Sequence, residues 1–146
     1  MGKVNEIGII DVSGHKIKNV NEVIVLKGKG LVNDRHFKEN NNKECQITLI
    51  ELESINEYNS LFGKKIPAIN FRRNIVTKDI KLNALVGKEF FIGKVKVKGH
   101  DLCRPCKHLQ DLLNQQNIIK EFLNKGGLRC EILTDGKIFI DDIIKK

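Results

Sequence analysis

Short apolar runs with a two-residue alternation dominate the chain. Val4 to Asp11 and Val20 to Lys27 both read as strands, separated by the turn signal Ser13-Gly14-His15. The second (Val-Asn-Glu-Val-Ile-Val-Leu) echoes the first (Val-Asn-Glu-Ile-Gly-Ile-Ile), though pieces this short do not make a repeat. Cys45 to Ile50 alternates β-branched and apolar positions, and Phe71 to Thr77 reads as a strand opened by Arg72, Arg73 and Asn74. From Phe90 to Gly99, Val95 and Val97 alternate with lysines, which predicts two short strands or one bent one. Leu128 to Leu133 is a further strand, Thr134-Asp135-Gly136-Lys137 a hairpin turn, and Ile138 to Ile144 the last strand. Helical spacing is rarer. Leu52, Ile55, Tyr58 and Leu61 carry it over Glu51 to Leu61, ending near Gly63. Leu109 to Leu123 carries it again, ending at Gly126-Gly127, and Leu82 to Gly87 is a short helical turn or corner. Many closely spaced strands, two or three helices and no dividing linker predict one domain over residues 1–146. The expected class is mainly β (a β-rich α+β fold), a barrel with helical decorations.

Composition narrows the class without fixing it. The 146 residues suffice for one domain with a sizeable core, and the 40% hydrophobic and 30% charged content is ordinary for a globular chain. No apolar run approaches a membrane span, and the opening residues lack the apolar stretch of a signal peptide, so a cytoplasmic location is expected. Four cysteines then read as free thiols rather than a disulfide framework. The net charge of +8 suits an anionic partner, either nucleic acid or a phosphorylated small molecule. Seven Phe, one Tyr and no Trp leave little for base stacking, which argues against nucleic acid. Lys27 to Phe37 forms a basic loop with two glycines, but no helical pattern follows it, so it lacks a phosphate-loop fingerprint. Lys38 to Glu44, with three consecutive asparagines, reads as an exposed loop.

Candidate chemistry concentrates between Gly99 and Leu109, Gly-His-Asp-Leu-Cys-Arg-Pro-Cys-Lys-His-Leu. Pro105 favours a strand-to-helix junction at Cys106, beside unpaired N–H groups. Arg104 and Lys107 add positive charge, and both influences favour thiolate, the form that attacks sulfur, carries it or binds a soft metal. Cys103-Arg104-Pro105-Cys106 has the spacing of a dithiol redox motif, but it lies late and outside a βαβ alternation. His100, Cys103, Cys106 and His108 are zinc-ligand types, yet they are packed more tightly in sequence than structural zinc sites usually are. Cys103 is read as simply buried, and Cys45 and Cys130 as core residues on strands. Asp34-Arg35-His36 is by itself consistent with a turn holding a local ion pair. Adjacent residues of a strand face opposite ways, so at most one of Arg72 and Arg73 is expected to face a shared site.

The order of these pieces is more specific than any one of them. Asp-Arg-His, Gln-Ile-Thr-Leu-Ile-Glu, Arg-Arg-Asn-Ile-Val, Gly-Lys-Glu-Phe-Phe-Ile-Gly, Pro-Cys-Lys-His-Leu, Gly-Gly-Leu-Arg-Cys-Glu-Ile-Leu and a closing Gly-Lys-Ile-Phe-Ile-Asp-Asp follow one another. The series resembles the MOSC family, named for the C-terminal part of molybdenum cofactor sulfurase, over residues 20–144. Two positions depart from the family pattern: Asn33 and Asp141 stand where it has Gly, and both residue types tolerate positive φ. The resemblance implies a closed or nearly closed β-barrel with two or three peripheral helices and a pocket carrying one cysteine. That cysteine maps onto Cys106, holding sulfur as a persulfide or ligating molybdenum in bound molybdopterin. The pterin phosphate calls for a basic pocket, for which Arg35, His36, Arg72, Arg73 and Asn74 are candidates, with Arg104 and Lys107 tuning the thiolate. A stand-alone sulfur carrier or cofactor binder is the first expectation. A molybdenum-dependent reductase of N-hydroxylated compounds is the alternative, and a basic nucleic-acid binder is a third. The pyridoxal-phosphate desulfurase domain of the larger sulfurases is not expected within this chain, so a sulfur-donating cysteine desulfurase would be a separate protein.

Overall fold

The computed structural model describes residues 1–11, 16–103 and 126–146. The turn expected at Ser13-Gly14-His15, the helix expected over 109–123, and Arg104, Cys106, Lys107 and His108 lie outside the described residues. The strands are β1 (Gly2–Ile9), β2 (Lys18–Val20), β3 (Glu22–Leu26), β4 (Gly30–Leu31), β5 (Ile47–Glu51), β6 (Ile75–Lys78), β7 (Glu89–Ile92), β8 (Val95–Leu102), β9 (Leu128–Ile132), β10 (Gly136–Phe139) and β11 (Ile143–Lys145). One α-helix, α1 (Leu52–Phe62), stands among the described residues.

Seven strands close on themselves in the order β1-β6-β5-β9-β8-β7-β11, and pairing of Gly2 with Ile144 and Lys3 with Ile143 seals the ring. Closure removes the open sheet edges that would otherwise invite association. Alternation puts Val4, Ile7, Leu49, Ile75, Val95, Val97, Leu128, Cys130 and Ile144 inside, all fully buried in one cluster. Each such Ile or Leu contributes about 1.5–3 kcal/mol by leaving water. β2 extends the barrel sheet beyond β1, while β10, β3 and β4 form a separate small sheet.

β5 and β6 are the parallel pair, with α1 as the connection that parallel strands require. The helix covers the outside of that pair. Ile55 and Tyr58 pack with the outward residues Ile50 and Val76, and with Ala68 and Phe71. Tyr58 and Phe62 stack one turn apart, ring centroids 4.8 Å from each other. Gly63 ends the helix in the left-handed conformation, φ 61°, a role glycine fills without steric cost.

Four expectations give way here. The strand expected from Val20 to Lys27 divides at Asn21, its two parts joining different sheets. The segment expected to form a hairpin at residues 134–137 crosses between sheets instead. Thr134 Oγ1 accepts the Lys96 N–H at 2.9 Å and Asp135 Oδ1 accepts the Lys27 N–H at 2.6 Å, steering β10 onto β3. The single last strand is broken at Asp141, φ 71°, where the Asp142 carboxylate accepts the Phe139 N–H at 2.8 Å. Finally, the strand expected from Phe71 begins only at Ile75. A 3-10 turn over Ala68–Phe71 ends in Arg72 at φ 65°. Asn33 and Asp141, the two non-glycine residues at family glycine positions, both sit at φ 71°, so the backbone turn survives each change.

Candidate functional site

The polar floor of the site is a row of side chains crossing the barrel wall. Register pairs Asp101 with Arg129 and Arg129 with Thr48. Thr48 in turn bonds Asn74, just before β6. Leu128, Cys130, Leu49 and Ile75, the chain neighbours of this row, are in the interior cluster, so strand alternation sends the row outward. Two residues further along β5 and β6, at Ile50 and Val76, the same outer wall lies under α1; at the row it is open and polar.

Above this row is a cavity of about 320 Å³ lined by His36, Glu44, Cys45, Thr48, Arg73, Asn74, Cys103 and Arg129. A narrower cavity of about 80 Å³ shares His36, Thr48, Arg73 and Asn74 with it and adds Asp34, Arg35 and Arg72. The two therefore adjoin. A groove of about 260 Å³ beside β3 is lined mainly by aliphatic residues with Glu22, Asn33 and Lys137, and a shallow hollow of about 670 Å³ holds Asp11, Lys18 and Asp34. Neither is lined by a guanidinium group, as both of the first two are, or by a thiol, as the wider one is.

The narrow cavity brings Arg35, Arg72 and Arg73 together. Both members of the Arg72-Arg73 pair line it, against the expectation that at most one would face a shared site. The reason is the left-handed backbone at Arg72, which abolishes the strand alternation assumed for the pair. Burial first, and Arg35 second, hold the Arg72 guanidinium below its usual value. It stays cationic at neutral pH. The same lining holds one carboxylate, Asp34, beside the three guanidinium groups.

Asp34 fixes the loop that delivers Arg35 and His36. Its Oδ1 accepts the Ile10 N–H at 2.9 Å, its Oδ2 accepts the His36 N–H at 3.2 Å, and the Arg35 N–H donates to the Ile10 carbonyl at 2.6 Å. The His36 imidazole is pushed below its ordinary 6.5 by burial and then by Arg35, with Asp34 opposing. It is thus neutral at neutral pH, able to accept one proton. Asn74 lines both cavities, but its carboxamide is engaged in the fold. Oδ1 accepts from the Thr48 N–H at 3.1 Å and hydroxyl at 3.2 Å, and Nδ2 donates to the Gly8 carbonyl at 3.2 Å.

At the other end, Arg73 Nε donates to the Gly126 carbonyl at 2.9 Å and its guanidinium reaches the Cys103 thiol. Arg129 is gripped by Asp101 through two bonds, Nε to Oδ1 at 2.9 Å and Nη2 to Oδ2 at 2.5 Å. Cys103 is buried as expected, and burial pushes its thiol up despite the pull of Arg73 and Arg129. Cys130 is enclosed in the core, and its thiol is raised further by burial. Cys45 corrects its expectation: it closes a 3-10 turn, Lys43–Cys45, and lies half-buried on the cavity wall. His100 bonds Glu131 through Nε2 at 2.9 Å.

Sequence reasoning missed Asn41, Glu44, Thr48, Asp101 and Arg129, and placed Cys45 in the core. The alternation Leu128, Cys130, Ile132 does signal that Arg129 points outward, but only strand register says what lies beside it. For Asn41, inside three asparagines, the sequence holds no signal. Its Nδ2 donates to the carbonyls of His36 at 2.6 Å and Lys29 at 2.8 Å, which ties down a stretch expected to be a plain exposed loop.

A small closed barrel with a cationic, thiol-bearing pocket on its outer wall defines the class. The MOSC domain model matches residues 32–145, and the chain belongs to the MOSC domain family. Among solved structures, the YuaD protein from Bacillus subtilis is 19% identical with TM-score 0.84, the match covering 99% of this chain and 94% of that one. YiiM from Geobacillus stearothermophilus is 15% identical with TM-score 0.79, covering 99% of this chain and 74% of that one. YiiM from Escherichia coli is 18% identical with TM-score 0.71, over 99% and 67% respectively. At such identities these likenesses concern the fold. No curated protein matches the chain in sequence.

Proposed function

We propose that this chain binds the anionic molybdopterin cofactor and handles sulfur through Cys106. The observation that carries the reading is the convergence of Arg35, Arg72 and Arg73 on the narrow cavity of about 80 Å³, opening beside the wider one of about 320 Å³. That space is on the scale of a single phosphate, and guanidinium forks match phosphate oxygens in pairs. The donor set fits the cofactor: cations for its phosphate, a roomier polar pocket for its ring system, and a cysteine as soft ligand. Arg35, Arg72 and Arg73 would hold the phosphate, with the neutral His36 beside it. Cys106 would carry sulfur or ligate molybdenum, with Arg104 and Lys107 favouring its thiolate. Cys103, shortly before it in sequence, already lines the wider pocket. When bound, molybdenum would supply two-electron redox chemistry.

Native mass spectrometry after expression in a cofactor-producing host tests this. A molybdopterin-sized adduct on the wild type that disappears in Arg72→Gln supports cofactor binding. A single-sulfur adduct on Cys106 supports the carrier role, with a separate cysteine desulfurase as donor. Neither adduct on the wild type overturns the reading. Reduction of an N-hydroxylated compound by the loaded protein would assign it to the reductases.

A further inference from the structure

We propose that His36 makes the anion site proton-coupled: seating a dianion among Arg35, Arg72 and Arg73 takes up one proton at the His36 imidazole, so the site grips a dianion more tightly as pH falls. The proposal rests on the phosphate-site reading above and names what sets the affinity of that site. His36 lines the narrow cavity and the wider one, and so belongs to the place where they meet. Arg35 acts electrostatically on both the His36 imidazole and the Arg72 guanidinium, which puts the two within reach of one cation. Asp34 fixes the backbone there, its Oδ2 accepting the His36 N–H at 3.2 Å.

The coupling follows from the signs of the charges. Against the lining alone, a proton on the imidazole adds to three guanidinium groups offset by one carboxylate, Asp34. Burial and Arg35 accordingly hold the ring below its ordinary 6.5. A dianion reverses that balance, since it offsets Arg35 and sets an opposite charge near the ring, favouring the protonated form. An opposite charge a few Å away moves a pKa by about one to three units; the residue is exposed at the rim, so the lower end applies. By reciprocity the affinity for the dianion changes by the same factor, about tenfold across the titration. Other groups face the wider cavity from neighbouring elements: Glu44 and Cys45 on the 3-10 turn, Cys103 just past β8, and Arg129 on β9. Replacing His36 with glutamine leaves all of them in place and isolates the histidine.

The experiment uses the full chain and sulfate, a dianion that does not itself titrate near neutrality, with chloride at equal ionic strength as the control. The sequentially assigned imidazole signals are followed by NMR from pH 5 to pH 8. Sulfate is expected to move the His36 midpoint up by about one pH unit relative to chloride. Calorimetry is expected to show sulfate binding about tenfold tighter at pH 5 than at pH 8 in the wild type, and little changed with pH in His36→Gln. Sulfate binding that leaves the His36 midpoint unmoved, or a pH dependence that persists in His36→Gln, overturns the proposal and leaves the cofactor reading standing. Absence of sulfate binding at every pH, or binding undiminished in Arg72→Gln, overturns both by removing the anion site they share. A His36 response to sulfate in a protein that takes no molybdopterin-sized adduct supports the proton-coupled site and sinks the cofactor reading alone. The wild-type midpoint needs no variant, and equal melting at pH 8 shows that the comparison with His36→Gln is chemical.

Discussion

Replacing Asn74 with alanine separates a ligand residue from one that holds the barrel wall together. The carboxamide joins three strands, bonding the Thr48 backbone on β5 and the Gly8 carbonyl on β1 from the start of β6. Only 8% of the residue is exposed, so solvent cannot replace both bonds freely. Alanine orphans the Thr48 N–H and the Gly8 carbonyl, each costing about 1–3 kcal/mol when left unsatisfied. The Thr48 hydroxyl still accepts the backbone N–H of residue 74 at 3.1 Å, so it adds little to the loss. Allowing for partial relaxation, Asn74→Ala should destabilise by about 2–4 kcal/mol, a drop in Tm of roughly 4–16 °C for a chain of this size. Urea unfolding followed by circular dichroism gives the free energy directly, provided the slope is unchanged. A loss below about 1 kcal/mol refutes the reasoning, because a side chain present only to touch ligand can be removed at little cost to the fold.

Gly127→Ala should be more damaging than an average substitution. Gly127 has φ 113°, its added Cβ would collide with the Leu49 carbonyl on β5, and its own carbonyl receives the Cys103 N–H at 2.7 Å. A loss of about 3 kcal/mol or more is expected in the same urea assay. His36 gives a pH test. Its folded value lies below the ordinary 6.5, so between the two the unfolded chain binds more protons. Stability should therefore fall as pH drops through 6.5 and level off below the folded value, a dependence that His36→Gln removes in paired melts. Alkylation with iodoacetamide should be slow at Cys103 and slowest at Cys130, whose thiols burial raises, and fastest at Cys106. Peptide-resolved mass spectrometry showing Cys130 labelled first would contradict the burial argument.

Alternation along the chain determined the barrel class, because a strand with one buried face must show period two wherever it lies. Helical spacing located α1 and its end at Gly63, and the residue types at Asn33 and Asp141 foretold that both tolerate a left-handed backbone. Motif order grouped Arg35, His36, Arg72 and Arg73, and the fold brings these four onto the lining of one cavity. What alternation cannot encode is which strand sits beside which. The path of β10 to β3 was settled by Asp135 and Thr134 bonding to distant backbone, and a turn signal carries no trace of such partners. The row of Asp101, Arg129, Thr48 and Asn74 exists only through register across four strands. Arg72 and Arg73 share a cavity only because the backbone turns left-handed between a 3-10 turn and β6, at a non-glycine residue whose sequence gives no sign of it. Local chemistry chose the elements, and long-range hydrogen bonds decided which side chains meet, since those bonds join residues that no local pattern connects.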